Sequence, residues 1–151
     1  MPYRKKFRVP KLKYDRPFAD SQKPVMAHYL DRVLRYADRY QKDESAENLH
    51  NLRIALRRFR YVLELYSVTI KPRRFAEVYE LAVNLQNILG DRRDVDVMHA
   101  RLLSIYSIAQ SELPVLITAD LEQSKALLNT QIEKNLTEFI RHKQIKKLAG
   151  I

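Results

Sequence analysis

The sequence contains no cysteine and only two glycines and six prolines among its 151 residues. Without cysteine there can be no disulfide, thiolate metal site or cysteine nucleophile, and we expect a reducing compartment. So few turn-forming residues argue against a β-sandwich or barrel. No apolar run is long enough to span a membrane, and no apolar segment follows the basic N-terminus as in a secretory signal. We therefore expect a cytoplasmic protein that makes no membrane contact.

Basic residues are abundant, with 28 Lys and Arg against 18 Asp and Glu, which gives a net charge of +10. The excess is concentrated at the start, because residues 1–16 hold seven Lys and Arg and one acid. Prolines interrupt any helical period there, so we predict that residues 1–22 form a basic, flexible tail. This tail could bind anions or simply increase solubility, and its composition favours neither role.

The rest of the chain, residues 23–149, has the pattern of a single helical domain. Hydrophobic residues make up 46% of the sequence, enough for a core, and the remaining composition favours helix. Apolar residues recur every three or four positions in five stretches, 26–40, 49–63, 75–89, 95–109 and 121–139. We predict an all-α fold, an antiparallel bundle of four to five helices joined by short connections.

Several residues predict where these helices begin and end. Ser45 can cap the second helix. Pro72 can end the second helix and open the third. The last helix should begin near Pro114, and we expect a kink or break near Arg141.

The segment LGDRRDVDV, which begins at Leu89, predicts a boundary between the third and fourth helices. Gly90 suits the left-handed position that ends a helix, and Asp91 can then cap the next one. Arg92 and Arg93 would lie in its first turn, where backbone N–H groups and the helix dipole attract anions. Two interpretations stay open, an anion site or local pairing of these arginines with the neighbouring aspartates.

The segment NLHNLRIALRRFRYVLELY, which begins at Asn48, holds a histidine and four arginines within an apolar run. On a helical wheel its leucines form one seam, while His50, Arg53, Arg57 and Arg60 form a neighbouring shoulder. Acids on other helices could neutralise this shoulder, or it could bind a polyanion, since arginine donates two hydrogen bonds to two phosphate oxygens. From the residues alone we favour a solvated or salt-bridged face, because basic helix faces are more often of that kind, although Glu47 and Glu64 cannot neutralise four arginines.

These two segments together resemble the CHAD family, the conserved histidine α-helical domain. The first has the form H-x-x-R-x-x-x-R-R-x-R, the second has the form L-G-x-x-R-D-x-D-V, and the resemblance covers about residues 24–148. It implies a helical fold that binds inorganic polyphosphate, in proteins associated with polyphosphate granules or phosphate-processing enzymes.

The resemblance also assigns roles to individual residues. It implies capping and arginine-orienting roles for Asp94 and Asp96. Arg58 matches the family pattern, although the wheel directs it away from the shoulder. The implied polyphosphate-binding residues are His50, Arg53, Arg57, Arg60 and Arg93, followed by Arg58 and Arg92.

A full CHAD unit resembles two similar halves around a basic channel, whereas this sequence contains one such motif. The resemblance therefore implies one half of a unit, and we predict a homodimer that restores the channel. We expect non-catalytic binding of inorganic polyphosphate in the cytoplasm, at polyphosphate granules, with no cofactor and no metal. The alternative is a nucleic-acid-binding protein, although no helix-turn-helix, zinc-finger or stacking-sheet signature is present. An enzyme is not expected, because a di-metal site needs two Glu-x-x-His motifs and only Glu47–His50 matches.

Overall fold

A computed structural model describes residues 9–10, 12–13 and 15–151, and this part of the chain is helical without strands. Helix α2 packs between α1 and α3, α4 packs along α3, and α5 returns to α1. The predicted all-α antiparallel bundle is confirmed. The helices are α1 Phe18–Lys42, α2 Ala46–Leu65, α3 Pro72–Ile108, α4 Val115–Arg141 and α5 Lys143–Ala149, with a 3₁₀ turn at Ser67–Thr69.

Most predicted helix boundaries are confirmed. The Ser45 hydroxyl accepts a hydrogen bond from the Asn48 backbone N–H at 3.3 Å, so Ser45 caps α2. Pro72 lies in the first turn of α3, where its missing N–H leaves no helical hydrogen bond unmade. The chain leaves helical geometry at His142, which separates α4 from α5.

Helix α1 begins earlier than predicted, at Phe18, and Pro24 lies inside it. Residues 18–22 of the predicted tail are therefore helical, while residues 1–8, 11 and 14 lie outside the described part of the chain. Tertiary contacts hold these first turns. The Phe18 ring stacks on Tyr66 at 4.6 Å between centroids, and the Ser21 hydroxyl is hydrogen-bonded to the Tyr66 hydroxyl.

The predicted helix end at Gly90 is wrong, because α3 runs through it without interruption. In the described residues, the glycine with a left-handed backbone is Gly150, at the end of α5. An interior helical glycine costs about 1 kcal/mol relative to alanine. The packing of Leu85 and Leu89 before it and of Arg92 after it offsets this cost.

The core is built from the apolar stripes of α1, α2, the first half of α3 and the second half of α4, together with the apolar side of α5. The predicted α2 stripe is confirmed, with Leu49, Leu56 and Leu63 fully buried. The predicted stripe over 95–109 is not buried, since Met98 is 54% and Ile105 59% exposed. Because α3 is one continuous helix, the side that faces the bundle in its first half continues into its second half. There that side carries polar residues, and the apolar stripe of 95–109 faces solvent.

Candidate functional site

The shoulder of α2 and one residue of α3 form a basic depression on the surface. The buried leucines of α2 fix the helix in the bundle and thereby direct His50, Arg53 and Arg57 outward. These three side chains, with Ile54 and Gln86, line a depression of about 100 Å³. We call His50, Arg53, Arg57 and Gln86 the basic site.

Two buried polar atoms of the basic site lack a hydrogen-bond partner among the described residues. They are Nε of Arg53 and Oε1 of Gln86. In that part of the chain no carboxylate lies within 4.0 Å of the guanidinium of Arg53 or Arg57. Buried polar groups are normally hydrogen-bonded, so this cluster of donors and charge is unusual.

Arg60 does not line this depression. Its Nε lies 3.3 Å from a Glu64 carboxylate oxygen, and its guanidinium stacks over the Tyr61 ring at 5.4 Å. The Tyr79 hydroxyl donates a hydrogen bond to the same Glu64 oxygen at 3.0 Å. Glu64 therefore offsets the charge of Arg60 within its own helix, although the buried Nε of Arg60 forms no hydrogen bond among the described residues.

Arg58 lines a second depression, on the side of α2 that faces α1, as the helical wheel predicted. This depression has a volume of about 240 Å³, and its other lining residues include His28, Arg32 and Tyr61. Burial and the neighbouring Arg32 charge lower the pKa of His28, so that its neutral form is favoured. Arg58 thus projects about 100° away from Arg57 around α2 and lines a different depression.

Arg92 is buried, with 6% of its side chain exposed. Its Nη1 donates to Asp96 at 2.5 Å, and its Nε donates to the Asn129 side-chain oxygen of α4 at 2.8 Å. The predicted first-turn position of Arg92 is wrong, because the helix does not start there. Local pairing with an aspartate, one of the two open interpretations, is the arrangement seen for Arg92. Asp96 orients it as expected, whereas Asp94 caps no helix.

Asn129 connects Arg92 to α1 and to the connection between α1 and α2. Its side-chain oxygen also accepts a hydrogen bond from the Tyr40 hydroxyl at 2.8 Å, and its amide donates to Glu44. The network therefore joins α1, the α1–α2 connection, α3 and α4. This partly buried network stabilises one arrangement of the helices, because its hydrogen bonds join side chains from four parts of the chain.

Tyr40 gives this network a measurable pH dependence. Burial raises the pKa of Tyr40 from 10.0 to about 12. Because the folded-state pKa is the higher one, its contribution to stability is complete below pH 10 and is lost as the pH rises toward 12. We expect the free energy of unfolding to fall by about 2 kcal/mol over this range on account of Tyr40. Denaturant titrations should show a smaller fall in Tyr40→Phe, and an equal fall would contradict this assignment.

Arg93 is half-buried on α3 and lies seven residues after Gln86, two turns further along the same face. Like Arg92, it is inside the helix and not in a first turn. No carboxylate of the described residues lies within 4.0 Å of it. Arg93 therefore extends the basic side of α3 beyond the depression.

Gln86 and Ile54 were not predicted from the sequence. Gln86 and Arg93 lie on one helical face only if α3 is continuous across Gly90. The predicted break there concealed the relation, and no other local signal distinguishes Gln86 from the many glutamines on helix surfaces.

A family model described as CHAD domain matches residues 5–103, about two thirds of the chain. The chain belongs to the CHAD domain family. The match contains both motifs, but it begins within the predicted tail and ends inside α3, so it differs from the expected range of 24–148. Nothing matches the chain among curated proteins or among solved structures.

Two further properties of the described residues bear on the site of this CHAD family member. They contain no cluster of three or more His, Cys, Asp and Glu side chains arranged to hold a metal ion. No helix among them is both long enough and apolar enough to cross a membrane.

Proposed function

We propose that this chain binds inorganic polyphosphate without catalysis, and that the basic site is where the polymer binds. The CHAD family is associated with polyphosphate binding. The observation that carries the proposal is the pair Arg53 and Arg57, which share a depression with His50 and have no carboxylate within 4.0 Å among the described residues.

The chemistry of the basic site suits phosphate oxygens. Each guanidinium offers a planar pair of donors that match two oxygens of one phosphate. The Gln86 side-chain amide can turn to present its NH₂ group, because its oxygen has no partner in the described part of the chain. Arg93 lies where a longer polymer would continue along α3.

The lining of the site favours a phosphate polymer over nucleic acid and over catalysis. None of its lining residues is a Tyr or Phe on which a base could stack. No carboxylate of a described residue lines it either, whereas phosphoryl-transfer enzymes use acids to hold divalent metals. Both features support binding through charge and hydrogen bonds.

The setting that we propose follows from the family. The chain acts in the cytoplasm at polyphosphate granules, and two copies associate so that two basic sites engage one polymer. Linking two sites to one polymer raises the overall affinity without any new contact.

Competition between polyanions tests the polymer preference. Long-chain polyphosphate should displace fluorescent double-stranded DNA from the protein at matched phosphate concentration, while DNA should not displace polyphosphate. Affinity should fall steeply with salt in both cases, because counterions are released. Displacement of polyphosphate by DNA at equal concentration would support the nucleic-acid alternative.

A further inference from the structure

The outward side of α3 changes character half-way along the helix. Over its first half this side is polar and exposed, as expected for a solvated face, and the residues are Glu80, Asn84, Asn87 and Asp91. Over the second half it is apolar yet still exposed, by 36%, 54%, 59% and 82% for Val97, Met98, Ile105 and Ile108. We call these four residues the apolar strip.

The apolar strip has no covering element in the described part of the chain. Its residues lie within an arc of about 100° on the helix. Helix α4 packs on a different side of α3, as the contacts of Arg92 with Asn129 and of His99 with Lys125 show. Contiguous exposed apolar surface of this kind marks interaction sites in soluble proteins.

The charge of this region permits a second copy to approach. Residues 91–128 carry six acidic and four basic side chains, a net charge of −2, which leaves +12 on the rest of the chain. Two copies that met through their basic surfaces, as in the channel expected from the sequence, would repel each other strongly unless a polyanion lay between them. Two copies that met through the α3–α4 hairpin would bring together only −2 each and would repel far less.

Two charged residues make the strip self-complementary. Asp94 and Arg101 lie on the same arc, seven residues apart, and flank Val97 and Met98 around a shallow depression of about 290 Å³. Neither side chain forms an ion pair within 4.0 Å among the described residues. In an antiparallel pair of identical helices, Asp94 of each copy faces Arg101 of the other.

We propose that the apolar strip is a homodimer interface in which two α3 helices pack antiparallel about a two-fold axis near Val97 and Met98. This register places both Asp94–Arg101 pairs across the interface. It also places the second copy's Gly90 opposite Ile105.

Gly90 supports this register independently. Apart from its chain neighbours and the adjacent backbone of its own helix, a Cβ at Gly90 meets no atom within 4 Å among the described residues, and its backbone does not need a left-handed conformation. The fold of one copy therefore gives no reason for a glycine in mid-helix, where alanine is more stable. Close approach of Ile105 from the second copy gives such a reason.

The interface has a consequence that rests on the proposed function. A two-fold axis perpendicular to the plane of the two helices places the same flank of each α3 on the same face of the dimer. Gln86 and Arg93 lie to one side of the apolar strip on the helical wheel. Both basic sites then lie along one side of the dimer, where a single polymer can contact both.

Charge reversal tests the register. The parent should have twice the 17.9 kDa chain mass by sedimentation equilibrium. Asp94→Arg and Arg101→Asp should each raise the dimer dissociation constant at least tenfold, because each places like charges opposite each other twice. An equimolar mixture of the two variants should form a heterodimer, and the double variant should dimerise again. Glu80→Arg, on the polar half of the same face, is the control and should leave the parent mass unchanged.

Gly90→Ala separates folding from association. It should raise the free energy of unfolding of the chain and at the same time weaken dimerisation at least tenfold. A monomeric parent, or single variants that dimerise like the parent, would overturn the proposal. Polyphosphate binding by a monomeric variant would leave the proposed function standing, and loss of binding with an intact dimer would remove only the function.

Discussion

Replacing Arg53 and Arg57 together with alanine should weaken the binding of long-chain polyphosphate by about a hundredfold or more at fixed salt. Each hydrogen bond to a charged group contributes on the order of 1.5–3 kcal/mol, and about 1.4 kcal/mol is tenfold in affinity. Neither arginine forms an ion pair with a described residue, so the fold loses little. Isothermal titration calorimetry measures the change, and circular dichroism verifies that the helices are intact.

A second pair of arginines provides the matched control. Arg35 and Arg73 are exposed and bridge to Asp31 and Glu77 at 2.8 and 3.1 Å. Arg35→Ala with Arg73→Ala removes the same net charge but no residue of the basic site. It should change affinity only a few-fold, through the general field of the protein. Equal weakening by both double variants would mean that polyphosphate responds to net charge and not to the basic site.

Arg92→Ala should lower the free energy of unfolding by about 3 kcal/mol, because the partly buried Asp96 then keeps only Lys125, at 4.0 Å, as an ion-pair partner among the described residues. It also removes one donor to Asn129, which ties α3 to α1 and α4. Denaturant titration at neutral pH measures the loss.

The neighbouring Arg93→Ala is the control for this prediction. It has the same chemistry at the adjacent position, but no described residue forms an ion pair with it. Its effect on stability should stay within about 0.5 kcal/mol. Polyphosphate affinity should respond in the opposite order, with Arg93→Ala reducing it and folded Arg92→Ala changing it only through the lost net charge, by less than Arg93→Ala does. Similar stability of the two variants would contradict the structural role of Arg92.

The first three apolar stripes were predictable because amphipathic periodicity reports directly which side of a helix is buried. The continuity of α3 could not be predicted, because Gly90 followed by Asp91 satisfies the local rules for a helix end. The cost of about 1 kcal/mol for a glycine inside a helix is smaller than the stabilisation from the side chains that pack on both sides of Gly90. That one error displaced Arg92 and Arg93 to a helix start and made the stripe at 95–109 look like core.

The candidate site shows the same division between local and tertiary information. The helical wheel correctly separated Arg58 from Arg53 and Arg57, because angles around a helix depend on spacing alone. It grouped Arg60 with them, since it carried no information on the pairing with Glu64. Gln86 joins the site from another helix, and only the packing of α2 on α3 brings it there.

The most direct measurement is a crystal structure of the protein with a short inorganic polyphosphate. The proposed function predicts phosphate groups hydrogen-bonded to the guanidinium groups of Arg53 and Arg57 in the depression that His50 lines. Phosphates ordered beside Arg32 and Arg58, with none at the basic site, would contradict it.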